Sequence, residues 1–273
     1  MNKKDEAIPF NAIQAKKICS EYGSPIYVYD ELSIRTTAQK MKQAFSWAKD
    51  YQNYFAVKAT PTPAILKILH EEGMGFDCST RTELLMVEKL GVPGKDIFFT
   101  SNNTTIEDFE LAIKLGATVN IDDLTQVPVY IEALNGRSAS RVAARYNPGN
   151  LKSGNTIIGE PEEAKYGMSL EDLISVFRLL KMQNISELGL HTMVASNELD
   201  PHYFEDTANL LLDAVSQIEK SADMSITFVN LGGGFGINYR PDQKPFDINE
   251  ASARIKKVLH KSGKELERSE EHT

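Results

Sequence analysis

The chain has 273 residues, 41% hydrophobic and 25% charged, with a formal net charge of -8 and a pI near 5.3. That length allows one large or two ordinary domains, the acidic balance excludes a basic nucleic-acid surface, and no apolar run approaches the roughly 20 residues that cross a bilayer. Cys19 and Cys78 without CxxC spacing, five scattered histidines without an HExxH pair, and an opening MNKKDEAIPF with no apolar core indicate neither a disulfide framework, a metal site nor a secretory signal, so a cytoplasmic protein is expected. Residues 11–22 carry Ile13, Ala15, Ile18 and Cys19 at helical spacing before Gly23. PIYVYD (25–30) reads as a short strand of aromatic and β-branched residues. From QNYFAVKA onward strands and helices alternate: PAILKILHEEG with Pro63 in its first turn, MGFDCST, RTELLMVEKLG, DIFFTS, and TIEDFELAIKLG capped by Thr104 or Thr105. ATVNID, a helix disturbed at its start by Pro128, RVAARYNP, a long polar loop to YGM, a helix over 169–182 capped by Ser169, LGLHTMVAS, a helix over 200–220, ITFVNLGGG and a helix over 248–262 complete the series.

The strands are apolar on both faces and joined by helices, which implies a parallel sheet. Seven β-then-α units fit a (β/α)8 TIM barrel better than an open sheet. They also leave it one strand short, because the eighth position follows the last helix, where only KELERSEEHT remains.

Chemistry in such barrels collects at the C-terminal ends of the strands. In order, these ends present Lys58; Asp77 and Ser79; Ser101, Asn102 and Asn103; Asp122 and Asp123; Arg145 and Asn147; His191 and Ser196; and Asn230 with Gly232, Gly233 and Gly234. A lysine ending a core strand either escapes to solvent or serves the site, and the company of an arginine, a histidine and a glycine-rich turn favours the second. LGGGFG is either a tight turn or a cradle of bare N–H groups for a phosphate. It is neither a dinucleotide fingerprint, since Ile237 stands where the third glycine belongs, nor a Walker loop. A lysine at one strand end and a phosphate cradle at another suit pyridoxal phosphate, whose aldehyde condenses with an unprotonated amine; desolvation at a barrel mouth would favour that form.

YFAVKA, GFDCSTRTEL, IFFTSNN, RYNPG, AKYGMS, LGLHTMVAS and NLGGGFGINY occur in the order seen in the group IV (fold type III) pyridoxal-phosphate decarboxylases, and the chain resembles that family, its diaminopimelate branch most of all, from about residue 8 to about 262. The resemblance implies a barrel of the alanine racemase/ornithine decarboxylase type and pyridoxal 5'-phosphate as cofactor. It matches Lys58 to the lysine that condenses with the cofactor, Asp77 to the acid near it, and Arg145 to the arginine at the ring edge. It matches Ser196 and Gly232, Gly233 and Gly234 to the phosphate contacts, and His191 to the first histidine of the GLHCH string. The family's second histidine, which stacks on the ring, is replaced here by Met193, so that either Met193 forms an apolar platform or His191 takes over; Ala195 replaces a glycine.

The same resemblance implies decarboxylation of meso-2,6-diaminopimelate to L-lysine by a homodimer acting on a small amino acid, without nucleic acid or membrane. Other acids such as ornithine or carboxynorspermidine are the alternative substrates, and a non-catalytic pyridoxal-phosphate-binding barrel is the alternative class; a third reading is a phosphate-binding barrel without pyridoxal phosphate. The family's eighth strand, its EPGR motif and its C-terminal β-domain have no counterpart. The chain thus divides into residues 1–30, which would pair with that β-domain, an incomplete barrel over 31–267, and a tail, 268–273, whose RSEEHT resembles a translated sequencing adapter and is expected to be non-native. A barrel open at two edges and without its β-domain is expected to be poorly soluble and inactive by itself.

Overall fold

The computed structural model describes residues 10–151, 166–260, 262 and 265–270. Eight strands, β1 (Gln52–Ala56), β2 (Gly75–Cys78), β3 (Ile97–Thr100), β4 (Thr118–Ile121), β5 (Ala139–Tyr146), β6 (Ile185–Thr192), β7 (Phe228–Asn230) and β8 (Glu265–Glu270), close a parallel barrel in chain order. Around it lie α2 (Glu31–Ala44), α3 (Pro63–Glu71), α4 (Arg81–Lys89), α5 (Ile106–Leu115), α6 (Gln126–Leu134), α7 (Leu170–Lys181), α8 (Pro201–Ala222) and α9 (Ile248–Leu259), with α1 (Ala12–Tyr22) ahead of them.

The helices begin where the side chains can satisfy the first free N–H groups. Thr105 and Asp108 form a capping box, Ser169 accepts from Asp172 N, and Asp200 and Asp247 cap α8 and α9. Each of the helices α2 to α9 lays its apolar stripe on the strands' outer faces, in one continuous core, while α1 buries none of its residues. Inside the barrel, Tyr54, Phe98, Ala143 and Phe228 form a dry plug. Gly189 on β6 is required there, because a Cβ would lie 2.2 Å from the Phe228 ring. Two residues further along the same strands, and so on the same face, stand Thr100, Arg145, His191 and Asn230, all buried. The plug therefore ends in a polar floor.

Residues 31–44, assigned to no element from sequence, form α2: Asp30 caps it and Ile34, Ala38 and Met41 turn inward. It packs against α3 and α9 and closes the helical ring, with Trp47 Nε1 donating to Ser252 Oγ at 2.7 Å just beyond its end.

Two expectations are corrected. The eighth strand, read as missing, is present: Glu265–Glu270 pairs with β7 (Phe228↔Glu265) and with β1 (Gln52↔Glu267). The pairing is made by backbone groups, and two open edges one strand apart accept any segment that spans them, whatever its side chains. Arg268, Ser269 and Glu270, assigned to the tail, lie in this strand, while 271–273 lie outside the described residues. Conversely, PIYVYD is not a strand: with no neighbour among the described residues to complete a ladder, Ile26, Tyr27, Val28 and Tyr29 stand exposed, Tyr27 at 90%. Residues 1–9 and most of the polar loop, 152–165, lie outside the described residues.

Candidate active site

At the C-terminal ends of the strands a cavity is lined by Ala56 and Lys58 from the end of β1, Asp77 and Ser79 from β2, Thr100 and Asn102 from β3, Arg145 from β5, and His191 and Met193 from β6. Seven residues singled out in the sequence thus line one cavity: Lys58, Asp77, Ser79, Asn102, Arg145, His191 and Met193. A wider groove between Leu151 and α8 carries Asp206 and Asp213 but is lined, among the described residues, by no lysine, arginine or histidine. The convergence of charge lies in the first.

Lys58 sits in the 3-10 turn Val57–Ala59 that ends β1. Pairing of Ala56 with Asp77 puts it beside the acid of the next strand. The residue lines the cavity but is exposed, so the described residues do not bury it as a desolvated amine requires.

Arg145 is held from two sides. Its Nη1 is 3.1 Å from Asp122 Oδ1, and its guanidinium lies 4.2 Å over the Tyr166 ring. Asp122 also accepts from Asn102 Nδ2 at 2.7 Å, and its own N–H donates to Gln126 Oε1 at 2.9 Å. Burial pushes the Asp122 carboxyl above the ordinary aspartate value, and Arg145 opposes that rise. The stretch around Tyr166 is tied to β5, as Met168 N donates to Arg145 O and Asn147 N to Met168 O, both at 2.9 Å. That is how AKYGMS, distant from RYNPG in sequence, meets it in space.

His191 is 3% exposed, and its Nδ1 lies 3.0 Å from Asn120 Nδ2. Burial foremost, then the Arg145 charge, holds it well below the usual imidazole value, so it is neutral. Met193 extends the wall toward the glycine turn: its Sδ accepts from Gly233 N at 3.3 Å. Gly232 and Gly234 have φ of 67° and 104°, and a Cβ would lie 2.1 Å from Thr192 O at the first and 2.6 Å from Ala195 O at the second. Those two glycines are therefore demanded by the packing of two loops. The contact continues outward, with Glu198 N donating to Gly234 O at 2.7 Å and Ile237 N to Asn197 Oδ1 at 2.9 Å. Ser196 lies in this joined segment, between Ala195 and Asn197. The glycines and Ser196 do not line the cavity itself; Met193 links the two.

The partners Asn120, Gln126 and Tyr166 were missed from sequence. Asn120 on β4 and Asp122 just past its end stand two apart in a run that is otherwise apolar but for Thr118, so they share a face, and buried polar groups need partners. That spacing was the available signal.

Residues 31–270 match the family described as pyridoxal-dependent decarboxylase, pyridoxal binding domain. The chain is 32% identical over 243 residues to Protein TabA of Pseudomonas amygdali pv. tabaci (89% of this chain, 56% of that protein) and 30% identical over 244 residues to diaminopimelate decarboxylase of Methanothermobacter thermautotrophicus (88% and 56%). The structure of diaminopimelate decarboxylase from M. jannaschii in complex with L-lysine superposes with a TM-score of 0.86 at 26% identity, covering 94% of this chain and 63% of that one. The chain spans little more than half the length of the curated relatives it matches. With the family matched over nearly all of the barrel, the chain belongs to the pyridoxal-dependent decarboxylases and carries their pyridoxal-binding domain.

Proposed function

We propose that this barrel serves a carboxy-lyase that decarboxylates meso-2,6-diaminopimelate to L-lysine, as the N-terminal part of a longer enzyme. One observation carries the reading: a lysine, an acid, an arginine and a histidine from four different strands line a single cavity at the C-terminal ends of the barrel. The cofactor fits what is there. Its aldehyde needs an amine, which Lys58 offers at the rim, and its phosphate needs a close approach to backbone, which a turn bare of Cβ atoms at Gly232 and Gly234 permits. Bound, the cofactor supplies the aldehyde for the substrate's amine and a ring that takes up the electrons left as CO2 departs.

The chain's own residues have the following parts. Lys58, at the rim of the cavity, would hold the cofactor through its aldehyde. Arg145, fixed by Asp122 and Tyr166, offers a stationary cation beside the ring. Asp77 stands next to the lysine. Met193 would give the ring an apolar surface, while Ser196, Gly232, Gly233 and Gly234, in the adjoining loops, would hold the phosphate. The diaminopimelate decarboxylases among the relatives support the substrate.

The test has two stages. Incubation of the chain with pyridoxal phosphate, borohydride reduction and peptide mass spectrometry should find the label on Lys58. Lys58→Ala should lose the visible absorbance of the amine-bound cofactor while changing unfolding free energy by only about 0.5 kcal/mol, as expected of an exposed residue. A label elsewhere, or an unchanged spectrum in Lys58→Ala, overturns the assignment. The full gene product is then offered meso-diaminopimelate, ornithine and carboxynorspermidine; CO2 release from ornithine alone would reject the substrate and keep the reaction class.

A further inference from the structure

Thr100, Asn120 and His191 meet across the barrel floor, at 9%, 1% and 3% exposure. Asn120 Nδ2 lies 3.2 Å from Thr100 Oγ1 and 3.0 Å from His191 Nδ1. With the Asn120 amide placed so that its nitrogen faces both groups, Nδ1 accepts and the imidazole proton falls on Nε2. Within the described residues the ring's hydrogen bond is made at Nδ1, and the residue lines the cavity. Its proton-bearing nitrogen is thus left for whatever the cavity holds. Asn120 Oδ1 is buried with no partner among the described residues; an orphaned acceptor is unfavourable by about 1–3 kcal/mol, the sort of defect that calls for a functional reason.

We propose that Asn120 is a positioning residue that locks His191 in the Nε2–H tautomer, making it a permanent neutral donor to an anionic oxygen of the bound ligand. This rests on the cavity being the cofactor site. The oxygen belongs either to the cofactor ring or to the substrate's carboxylate, which share this chemistry. A fixed neutral donor suits a site that already holds the Arg145 cation: it reads an oxygen without adding a second charge. The reverse orientation of the Asn120 amide would set Oδ1 against a protonated Nδ1 and leave Nε2 an acceptor, a base in place of a donor.

The experiment is long-range 1H–15N correlation on the histidine-labelled chain, with the His191 signals assigned from a His191→Gln variant. Nδ1 should appear unprotonated and Nε2 protonated; the opposite pattern overturns the proposal without any variant. In Asn120→Asp the carboxylate only accepts, so Nδ1 should gain a proton, a change that a purely structural role for Asn120 would not produce. If that variant does not fold, the wild-type spectrum still decides. Adding pyridoxal phosphate should shift the Nε2–H signal if the oxygen is on the cofactor, and adding L-lysine afterwards should shift it if the oxygen is a carboxylate. No shift in either arm, with cofactor binding confirmed by absorbance, refutes the donor role. Failure to bind cofactor at all sinks the functional reading, and the tautomer is still measured independently.

Discussion

Asp122 shows how a single side chain converts burial into pH dependence. Its carboxyl is held above the ordinary aspartate value because burial outweighs the attraction of Arg145. A group whose value is raised on folding contributes stability that is fully present below its unfolded value and is lost as pH rises through the folded one. Wild type should therefore lose stability relative to Asp122→Asn as pH rises through and just above the usual aspartate range, a trend that urea unfolding at several pH values would read; a rising difference contradicts the burial argument. Asp122→Ala is a different case, since Asn keeps an oxygen that can accept from Arg145 or Asn102 whereas Ala leaves both donors without it, and should lower unfolding free energy by about 3–5 kcal/mol. Gly234→Ala meets both a φ of 104° and a carbonyl 2.6 Å from its new methyl. We expect a loss of about 2–4 kcal/mol from backbone strain and overpacking combined, checked by thermal denaturation of the cofactor-free chain. Lys58, Arg145 and His191 were legible as residues because titratable groups at the ends of apolar strands stand out. Asn120 and Tyr166 were not, because their importance lies in which neighbour they touch.

At the scale of elements, the seven apolar strands were legible because burial on both faces leaves an unbroken hydrophobic run. PIYVYD shows the limit of that signal: its composition is that of a strand, but a strand exists only with a hydrogen-bonding neighbour, and none lies beside it among the described residues. β8 is the reverse case, a polar run made into a strand by position between β7 and β1. Deleting residues 265–273 should open both edges at once. The expected outcome is loss of a cooperative unfolding transition and formation of large species on sedimentation; a truncated chain that stays monomeric and unfolds cooperatively would show that β8 contributes little. Helix α2 was missed for a simpler reason: its inward residues Ile34, Ala38 and Met41 are spaced among polar ones, and its place in the ring is fixed by α3 and α9, which come later in the chain.

For the whole molecule, the described residues divide into a closed barrel and an exposed approach to it. None of the α1 residues is buried, and Ile26, Tyr27, Val28 and Tyr29 follow it as an apolar strip in solvent. No helix among the described residues is long and apolar enough to cross a membrane. Exposed apolar strips of this kind favour self-association. Tyr27→Lys combined with Tyr29→Lys should leave the melting temperature nearly unchanged, since neither ring packs in the core, while reducing concentration-dependent light scattering; unchanged scattering would place the sticky surface elsewhere. The sequence by itself determined the alternation of strands and helices, the parallel barrel they imply and the family, because these follow from local periodicity and from motifs read in order. Only the tertiary structure decided that β8 closes the barrel, that PIYVYD stays unpaired, that two of the glycines are required by a neighbouring loop, and that Asn120 and Asp122 hold His191 and Arg145. Each of these depends on a partner distant along the chain, and a pattern of residues specifies what a side chain can do but not what it will meet.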